Sequence, residues 1–226
     1  MRPARVIGLV VCALLVSASV YASTITTFGN ITPNNFVSVD NGNGTTTLST
    51  TSNVNITQII AGGLDPDALF MFTATSTEDA QLLLGGTVIS QRFAGSFSLT
   101  NQANTIDYLS GTFGGALEFG GTGATGAVFT ANSFPQTPPL VLTSDLLALI
   151  NPESFALALS NISPPLGVDT YLVGGVPHTT IAPFTASYAG SADAFVATPV
   201  PEPATLTMLG FGLVGIARQA RRRFNA

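Results

Sequence analysis

Apolar and small polar residues alternate along several segments of this chain, and this alternation constrains its fold more than any other feature. In residues 93–99 every second position is apolar or Gly, and the positions between them are Ala or Ser. Residues 154–160 and 184–188 show the same period of two. Successive side chains of a strand point to opposite faces, so this period predicts half-buried β-strands. The positions expected to share a buried face are Phe93, Gly95, Phe97 and Leu99, then Phe155, Leu157 and Leu159, then Phe184, Ala186 and Tyr188.

Glycine, proline and asparagine separate these segments at intervals of about ten residues, as in all-β domains. The segment Asn41–Gly44 lies between two β-branched runs, and Asn-Gly pairs tolerate the positive φ of tight hairpin turns. The pattern therefore predicts an all-β fold, an antiparallel β-sandwich or a jelly-roll-like domain. Residues 23–35 are polar and contain a proline, and we interpret them as a partly extended arm.

One short helix is expected within this β-domain. Residues 146–150 are apolar, with Ser144 or Asp145 placed to cap the helix and Pro152 to end it.

The N-terminus has the three parts of a secretory signal peptide. Arg2 and Arg5 supply positive charge, residues 6–16 are apolar, and residues 20–22 form a small-residue cleavage site. We therefore expect residues 1–22 to be a signal peptide that signal peptidase cuts between Ala22 and Ser23. An uncleaved membrane anchor is the alternative, but the apolar run is short for one.

The C-terminus combines an acidic tripeptide, an apolar run and a basic end. Pro201-Glu202-Pro203 is followed by the apolar residues 204–217 and then by an arginine cluster. A helix over the apolar run would be roughly 20 Å long, short of a hydrocarbon core of about 30 Å. The run is thus suited to a short transmembrane helix that is held briefly in the membrane, with the arginines retained on the cytoplasmic side. The arginines of the cluster are Arg218, Arg221, Arg222 and Arg223.

This tail resembles the PEP-CTERM sorting signal of Gram-negative bacteria in its tripeptide, apolar run and arginine cluster. The resemblance covers about the last 27 residues and implies an exported protein that the membrane transpeptidase exosortase recognises. It also implies delivery from the inner membrane to the cell surface or its polysaccharide matrix. The chain then divides into the signal peptide, a secreted β-domain over residues 23–198, and a sorting and anchor segment over residues 199–226.

The secreted domain is acidic and lacks lysine. Of the seven arginines only Arg92 lies within it, and of the 12 acidic residues only Glu202 lies outside it. A surface with this charge repels nucleic acid and anionic lipid. We interpret the acidity as serving solubility, with carboxylates distributed over the turns. The sole cysteine, Cys12, lies in the signal peptide, so an ordinary hydrophobic core must stabilise the exported domain without disulfides.

Residues for catalysis are scarce. His178 is the single histidine, and it follows Pro177 in what we interpret as a loop. Histidine-cluster zinc sites and arrangements of histidine with cysteine are thereby excluded. A serine nucleophile would lack the GxSxG elbow, whereas a pair of carboxylates of the glycosidase kind stays open.

Two glycine patterns and three acidic segments require separate interpretation. Gly121–Gly126 fits GxGxxG but lacks the following helix of a dinucleotide site, so a β-turn is expected. Gly210–Gly215 belongs to the apolar run of the tail, where small residues permit close helix packing. Asp40–Gly44 has the alternating oxygens of a calcium loop but no bidentate Glu where one is needed, so a hairpin turn is favoured. Calcium binding at 65–67 or 78–79 is an alternative.

The sequence therefore predicts a non-enzymatic protein of the cell surface or polysaccharide matrix, with no cofactor, catalytic residue or metal ligand assigned. The alternatives are a module that binds polysaccharide or another surface ligand, with or without calcium, and a secreted carboxylate-based hydrolase. The expected partners are signal peptidase, exosortase and extracellular polysaccharide, with the inner membrane before processing.

Overall fold

The structure, a computed structural model, describes residues 22–59, 67–133 and 138–196. These residues form antiparallel strands joined by turns, with one 3-10 turn, Leu84–Gly86. The strands in chain order are β1 (Ala22–Asn30), β2 (Phe36–Asp40), β3 (Thr46–Ile59), β4 (Asp67–Ser76), β5 (Gln81–Leu83), β6 (Val88–Asn101), β7 (Asp107–Gly121), β8 (Gly126–Asn132), β9 (Val141–Thr143), β10 (Leu149–Ser163), β11 (Val168–Val173), β12 (Val176–Ile181) and β13 (Phe184–Val196).

The long strands form one sheet that closes on itself. The order β6-β4-β3-β1-β13-β10-β8-β7 returns to its start because β7 also pairs with β6. Ring strands that follow one another in the chain pair with each other, and the first and last of them, β1 and β13, also pair. Every pairing is antiparallel. The all-β antiparallel prediction is confirmed. The finer expectation of a two-sheet sandwich or jelly roll is replaced by this closed meander, since β6 bonds along its length to both β4 and β7 and leaves no open edge between two sheets.

Two positions of the ring are each filled by two short strands in succession. β1 and β2 both lie between β13 and β3, and residues 31–35 interrupt them. Side chains replace the missing ladder bonds there, because the Tyr188 amide donates to Asn30 Oδ1 and the Asn34 amide donates to Ser187 Oγ. The partly extended arm expected at 23–35 is extended over residues 23–30, but there it forms strand β1 of the sheet and not a separate arm. β8 and β9 share a position beside β7 in the same way.

Phenylalanine fills the interior of the ring. Phe97 of β6 and Phe155 of β10 come from strands that do not pair, and their rings stack with centroids 3.9 Å apart. Phe72 contacts the rings of Phe113 and Phe129 in the same core. An eight-stranded closed sheet has an interior just wide enough for side chains to fill. The predicted inward faces are confirmed by the burial of Phe93, Phe97, Leu99, Phe155, Leu157, Leu159, Phe184, Ala186 and Tyr188.

The ring has two distinct ends. At the terminal end, the start of β1 pairs with the end of β13, with Ala22 opposite Phe195. At the distal end lie the turns 41–45 and 122–125 and the hairpin of β11 and β12. The hairpin is bonded to the ring there, since the Ala80 amide donates to Thr179 O at 2.7 Å and the Ile181 amide donates to Gln91 Oε1 at 3.2 Å.

The predicted helix at 146–150 is wrong. Residues 144–148 are irregular and Leu149 begins β10. The capping residues have other partners, because Ser144 Oγ donates to Tyr108 O and the Asp145 amide donates to Asp107 O, which fixes this segment to β7. A five-residue helix has too few internal bonds to compete with such pairing. Pro152 lies inside β10, at a register shift of its pairing with β13, a place where a strand tolerates proline.

One smaller correction concerns His178, which belongs to strand β12 and not to a loop. The predicted signal helix and C-terminal transmembrane helix lie outside the described residues, and among the described ones no helix has the length and hydropathy to cross a membrane.

Candidate functional site

The residues predicted to be processed during export lie at the terminal end or beyond the described residues. Ala22 and Ser23 are the first two residues of β1, opposite Phe195 and Ala194 of β13. β13 ends at Val196, a few residues before the tail. Both predicted targeting segments therefore connect to the same end of the ring. The sorting residues Pro201, Glu202, Pro203, Arg218, Arg221, Arg222 and Arg223 lie outside the described residues.

A broad outer surface of the ring carries rows of hydroxyl groups. Register places Ser49, Thr73, Ser96 and Thr112 side by side on four neighbouring strands, β3, β4, β6 and β7. The inward positions beside them include the buried residues Leu48, Phe72, Phe97 and Phe113, so these four hydroxyl residues lie on the outer face of the ring. We call this surface the hydroxyl face and define it as Thr47, Ser49, Thr51, Thr73, Thr75, Ser96, Ser98, Ser110 and Thr112.

The chemistry of the hydroxyl face follows from its spacing. Neighbouring strands lie about 4.8 Å apart, so the row of Ser49, Thr73, Ser96 and Thr112 presents hydroxyls at nearly constant intervals. In the two flanking rows Met71 and Ala94 each take the place of one hydroxyl residue. Each hydroxyl both donates and accepts hydrogen bonds, and none of the defined residues is charged. A shallow depression of about 330 Å³ on this face is lined by Thr51, Met71, Thr73, Ser96 and Ser98, together with Phe72 and Phe97. Such a surface is suited to another uncharged, hydroxyl-rich surface.

Acidic and basic side chains meet in pairs at the distal end. His178 Nδ1 lies 2.9 Å from Asp79 Oδ1, and Arg92 Nε lies 3.6 Å from Glu78 Oε2 with both side chains about half exposed. The His178 ring packs against Gly44, where a Cβ atom would lie 3.1 Å from His178 Cγ. Glycine is doubly suited to position 44, because its φ of +86° disfavours other residues.

Tyr171 and Thr180 form a second side-chain contact at the distal end, within the hairpin of β11 and β12. Tyr171 Oη lies 2.9 Å from Thr180 Oγ1. Burial, followed by the nearby Asp40 carboxylate, raises the pKa of Tyr171 above its ordinary value. The phenol therefore stays protonated across the neutral range.

The candidate calcium segments are occupied by protein contacts or fall partly outside the structure. Asp40 Oδ1 accepts the Gly42 amide, and Asn43 Oδ1 accepts the Thr45 amide and hydroxyl, so these oxygens build the hairpin turn. Glu78 and Asp79 face Arg92 and His178, as described above. Of the segment 65–67, only residue 67 is described. Within the described residues, no three His, Cys, Asp or Glu side chains are grouped as a metal site requires.

The first GxGxxG segment is a turn, as predicted. Gly121 ends β7, Gly126 begins β8, and the Ala124 amide donates to Gly121 O at 2.9 Å.

Glu118 is the residue whose role the sequence did not reveal. It lies on β7, opposite Gln91 of β6 and Phe129 of β8, and its side chain is fully buried in the ring. Neither carboxyl oxygen has a hydrogen-bond partner among the described residues. Burial raises the pKa of Glu118 to about 8, so the carboxyl group is mostly protonated at neutral pH. The glycine-rich composition of residues 114–126 concealed the strand that carries it.

A second acidic residue, Glu153, is also buried. Its Oε2 atom accepts the Leu142 amide at 2.7 Å and so joins β9 to β10, where the two strands lack a regular ladder. Burial raises the pKa of Glu153, and the hydrogen bond from Leu142 opposes that effect. The expectation that the acidic residues lie on surface turns is therefore wrong for Glu118 and Glu153.

Comparison with known proteins identifies the tail. The family model described as the PEP-CTERM protein-sorting motif matches residues 199–223. No curated protein and no solved structure shows significant similarity to the chain. The matched residues hold the tripeptide, the apolar run and the arginine cluster. The chain thus carries a PEP-CTERM sorting motif, which marks it as an exported protein that exosortase processes at the membrane.

Proposed function

We propose that the exported domain is a non-enzymatic component of the cell surface or its polysaccharide matrix, and that the hydroxyl face is its contact with neutral polysaccharide. The observation that supports this proposal is the row of aligned hydroxyls across β3, β4, β6 and β7. The sorting motif supports delivery to a location where polysaccharide is the abundant partner.

The energetics favour weak, repeated binding. A hydrogen bond between two neutral groups contributes about 0.5–1.5 kcal/mol net, because each hydroxyl exchanges water for its new partner. Among the defined residues there is no aromatic ring to stack on a sugar, so a single short oligosaccharide binds weakly. A long polymer contacts several rows at once, and many such domains in a matrix raise the overall affinity through multivalency.

The charge distribution selects the type of polysaccharide. Residues 23–198 hold eleven acidic residues and one arginine, so the domain as a whole repels anionic polymers. The hydroxyl face itself carries no charge. Neutral polysaccharide can therefore approach that face without an electrostatic penalty, whereas a uronate-rich polymer cannot.

Co-sedimentation with insoluble neutral polysaccharide tests the proposal. Thr73→Glu places a carboxylate in the centre of the hydroxyl face and should abolish most of the binding. Ser160→Glu places the same charge on an exposed position of β10, outside the face, and should leave binding unchanged. Equal binding of both variants would contradict the assignment of the face.

The same assay separates the alternatives. Binding that requires calcium, and disappears with chelator, would favour a calcium-assisted module over the proposed face. Release of new reducing ends from the polysaccharide during incubation would contradict a non-enzymatic role and favour a carboxylate-based hydrolase.

A further inference from the structure

The hairpin of β11 and β12 at the distal end has two unequal edges. The outer edge of β12 is used within the domain. Its Thr179 O atom accepts the Ala80 amide, and its Ile181 amide donates to Gln91 Oε1. Pro177, also on β12, has no N–H group to offer. β11 pairs with β12 and, among the described residues, with no other strand, so its far edge is the open one.

The register of the hairpin shows which residues of β11 direct their backbone groups to this open edge. In an antiparallel pair, residues that exchange hydrogen bonds alternate with residues whose backbone groups point away from the partner strand. Thr179 and Ile181 use theirs away from β11, so their opposite residues Thr170 and Val168 direct theirs away from β12. Leu172 follows by the same alternation. No backbone bond outside the ladder involves Val168, Thr170 or Leu172 within the described part of the chain.

β11 lacks the features that commonly protect an open strand edge. Residues 168–173 contain no proline, lysine or arginine, and their register with β12 runs without a bulge. Asp169 is their only charged residue. The edge is also accessible, because Thr170 is exposed and the side chain of Leu172 is 70% exposed. An accessible edge of this kind binds an added strand through its main chain, the mode known as β-augmentation.

We propose that this edge binds β11 of a second copy of the chain, in antiparallel orientation, with Thr170 opposite Thr170 of the second copy. A twofold axis requires a residue to lie opposite itself, because bonded and non-bonded pairs alternate along the strands. Centring on Thr170 places Val168 opposite Leu172, so all three outward residues fall in hydrogen-bonded pairs. Centring on Tyr171 would lose the pairing of Val168, and centring on Asp169 would oppose two carboxylates.

The side chains of β11 fit a second copy in the register centred on Thr170. The exposed side chain of Leu172 meets Val168, which already packs against the hydrophobic core. Asp169 lies opposite Tyr171 and not opposite its own copy, so the paired strands oppose no like charges. The acidic domains repel each other at long range, but physiological salt screens this repulsion beyond about 8 Å. A dimer carries two hydroxyl faces, although the pairing itself does not depend on polysaccharide.

Sedimentation equilibrium of the exported protein at physiological salt measures the pairing. The parent should pass from monomer to dimer as its concentration rises. Thr170→Pro removes the central outward N–H group but none of the bonds between β11 and β12, and Pro177 shows that the hairpin accepts proline at such a position. This variant should raise the dissociation constant of the dimer by about tenfold or more, through loss of the central pair of hydrogen bonds. The matched control Thr170→Ala keeps the N–H group and should dimerise like the parent.

Cysteine crosslinking tests the register in a chain whose backbone N–H groups are intact. The sole native cysteine lies in the predicted signal peptide, so an introduced cysteine is the single thiol of the processed protein. Thr170→Cys places this thiol opposite its own copy, with the two Cβ atoms about 5 Å apart. A short bis-maleimide should therefore join two chains of Thr170→Cys. Ser160→Cys, at an exposed position of β10, is the control and should remain a single chain.

Three results would overturn the proposal. The first is a parent protein that stays monomeric at every concentration, which would leave the edge to a strand of another protein. The second is a dimer of Thr170→Pro as stable as that of the parent, with circular dichroism showing that the variant is folded. The third is equal crosslinking of Thr170→Cys and Ser160→Cys. None of these measurements involves polysaccharide, so failure of the pairing and failure of the proposed function are distinguishable.

Discussion

Replacing Glu118 by Gln should abolish a specific part of the pH dependence of stability. In the folded domain burial raises the pKa of this carboxyl group from 4.5 to about 8. Below pH 4.5 the group is protonated in both folded and unfolded chains. Between the two values the unfolded chain loses the proton and the folded chain retains it, so the folded state binds more protons and its stability falls as pH rises.

The magnitude follows from the same two pKa values. Each pH unit within the interval costs up to about 1.4 kcal/mol of the free energy of unfolding, which amounts to roughly 4–5 kcal/mol across the whole interval. Domains of this kind have total stabilities of about 5–15 kcal/mol, so the effect is a large fraction of the total. A neutral amide at position 118 does not titrate. Its buried polar atoms cost about 1–3 kcal/mol, nearly independent of pH, and the protonated carboxyl group of the parent carries a comparable cost because it also lacks a partner among the described residues.

Urea unfolding of the exported protein at pH 5, 6.5 and 8, followed by circular dichroism, measures the effect. Glu118→Gln should be about as stable as the parent protein at pH 5 and more stable at pH 8, since only the parent loses stability between them. Glu78→Gln removes an exposed carboxylate and serves as the control. If the difference in stability between parent and Glu118→Gln stayed constant across the three pH values, the side chain would not be buried as a protonated acid.

Two further predictions concern the core and the tail. Phe97→Ala and Phe155→Ala should each lower the free energy of unfolding by about 3–5 kcal/mol. The double variant should lose less than the sum of the two, because the two rings stack on each other. Urea unfolding of the single and double variants checks this, and single losses below about 1 kcal/mol would place the rings outside the core. Deleting Glu202 and Pro203 should leave export intact but retain the protein in the inner membrane. Cell fractionation measures this, and unchanged surface delivery would show that the tripeptide is not read.

The strands could be predicted because apolar and polar residues alternate along them, which shows both the strand and the face that is buried. The alternation of Phe97 and Leu99 with Ser96 and Ser98 states both the strand and its inward face, and these assignments are confirmed. Closure of the ring could not be predicted, because it depends on β6 pairing with both β4 and β7. Local alternation contains no information about which strands become neighbours.

The misassigned segments share one physical cause, which is pairing with distant residues. Residues 146–150 have a helical pattern, but the partners of Ser144 and Asp145 lie on β7, about 36 residues away in the chain. Glu118 resembles a solvent-exposed acid until both neighbouring strands are known, since Gln91 and Phe129 enclose it from either side. Tertiary contacts of this kind override local propensity.

The hydroxyl face could be predicted from the sequence only in part. Its individual serines and threonines are predictable as the outward halves of alternating strands. Their alignment into rows follows from register alone, because Thr73 lies between Ser49 and Ser96 only in this pairing of β4 with β3 and β6.

Binding of the exported protein to neutral polysaccharide, measured for the parent, Thr73→Glu and Ser160→Glu in one co-sedimentation series, tests the central claim most directly. The proposal predicts that the parent and Ser160→Glu sediment alike and that Thr73→Glu stays in solution. Sedimentation of all three proteins to the same extent, or of none, would contradict a polysaccharide contact at the hydroxyl face.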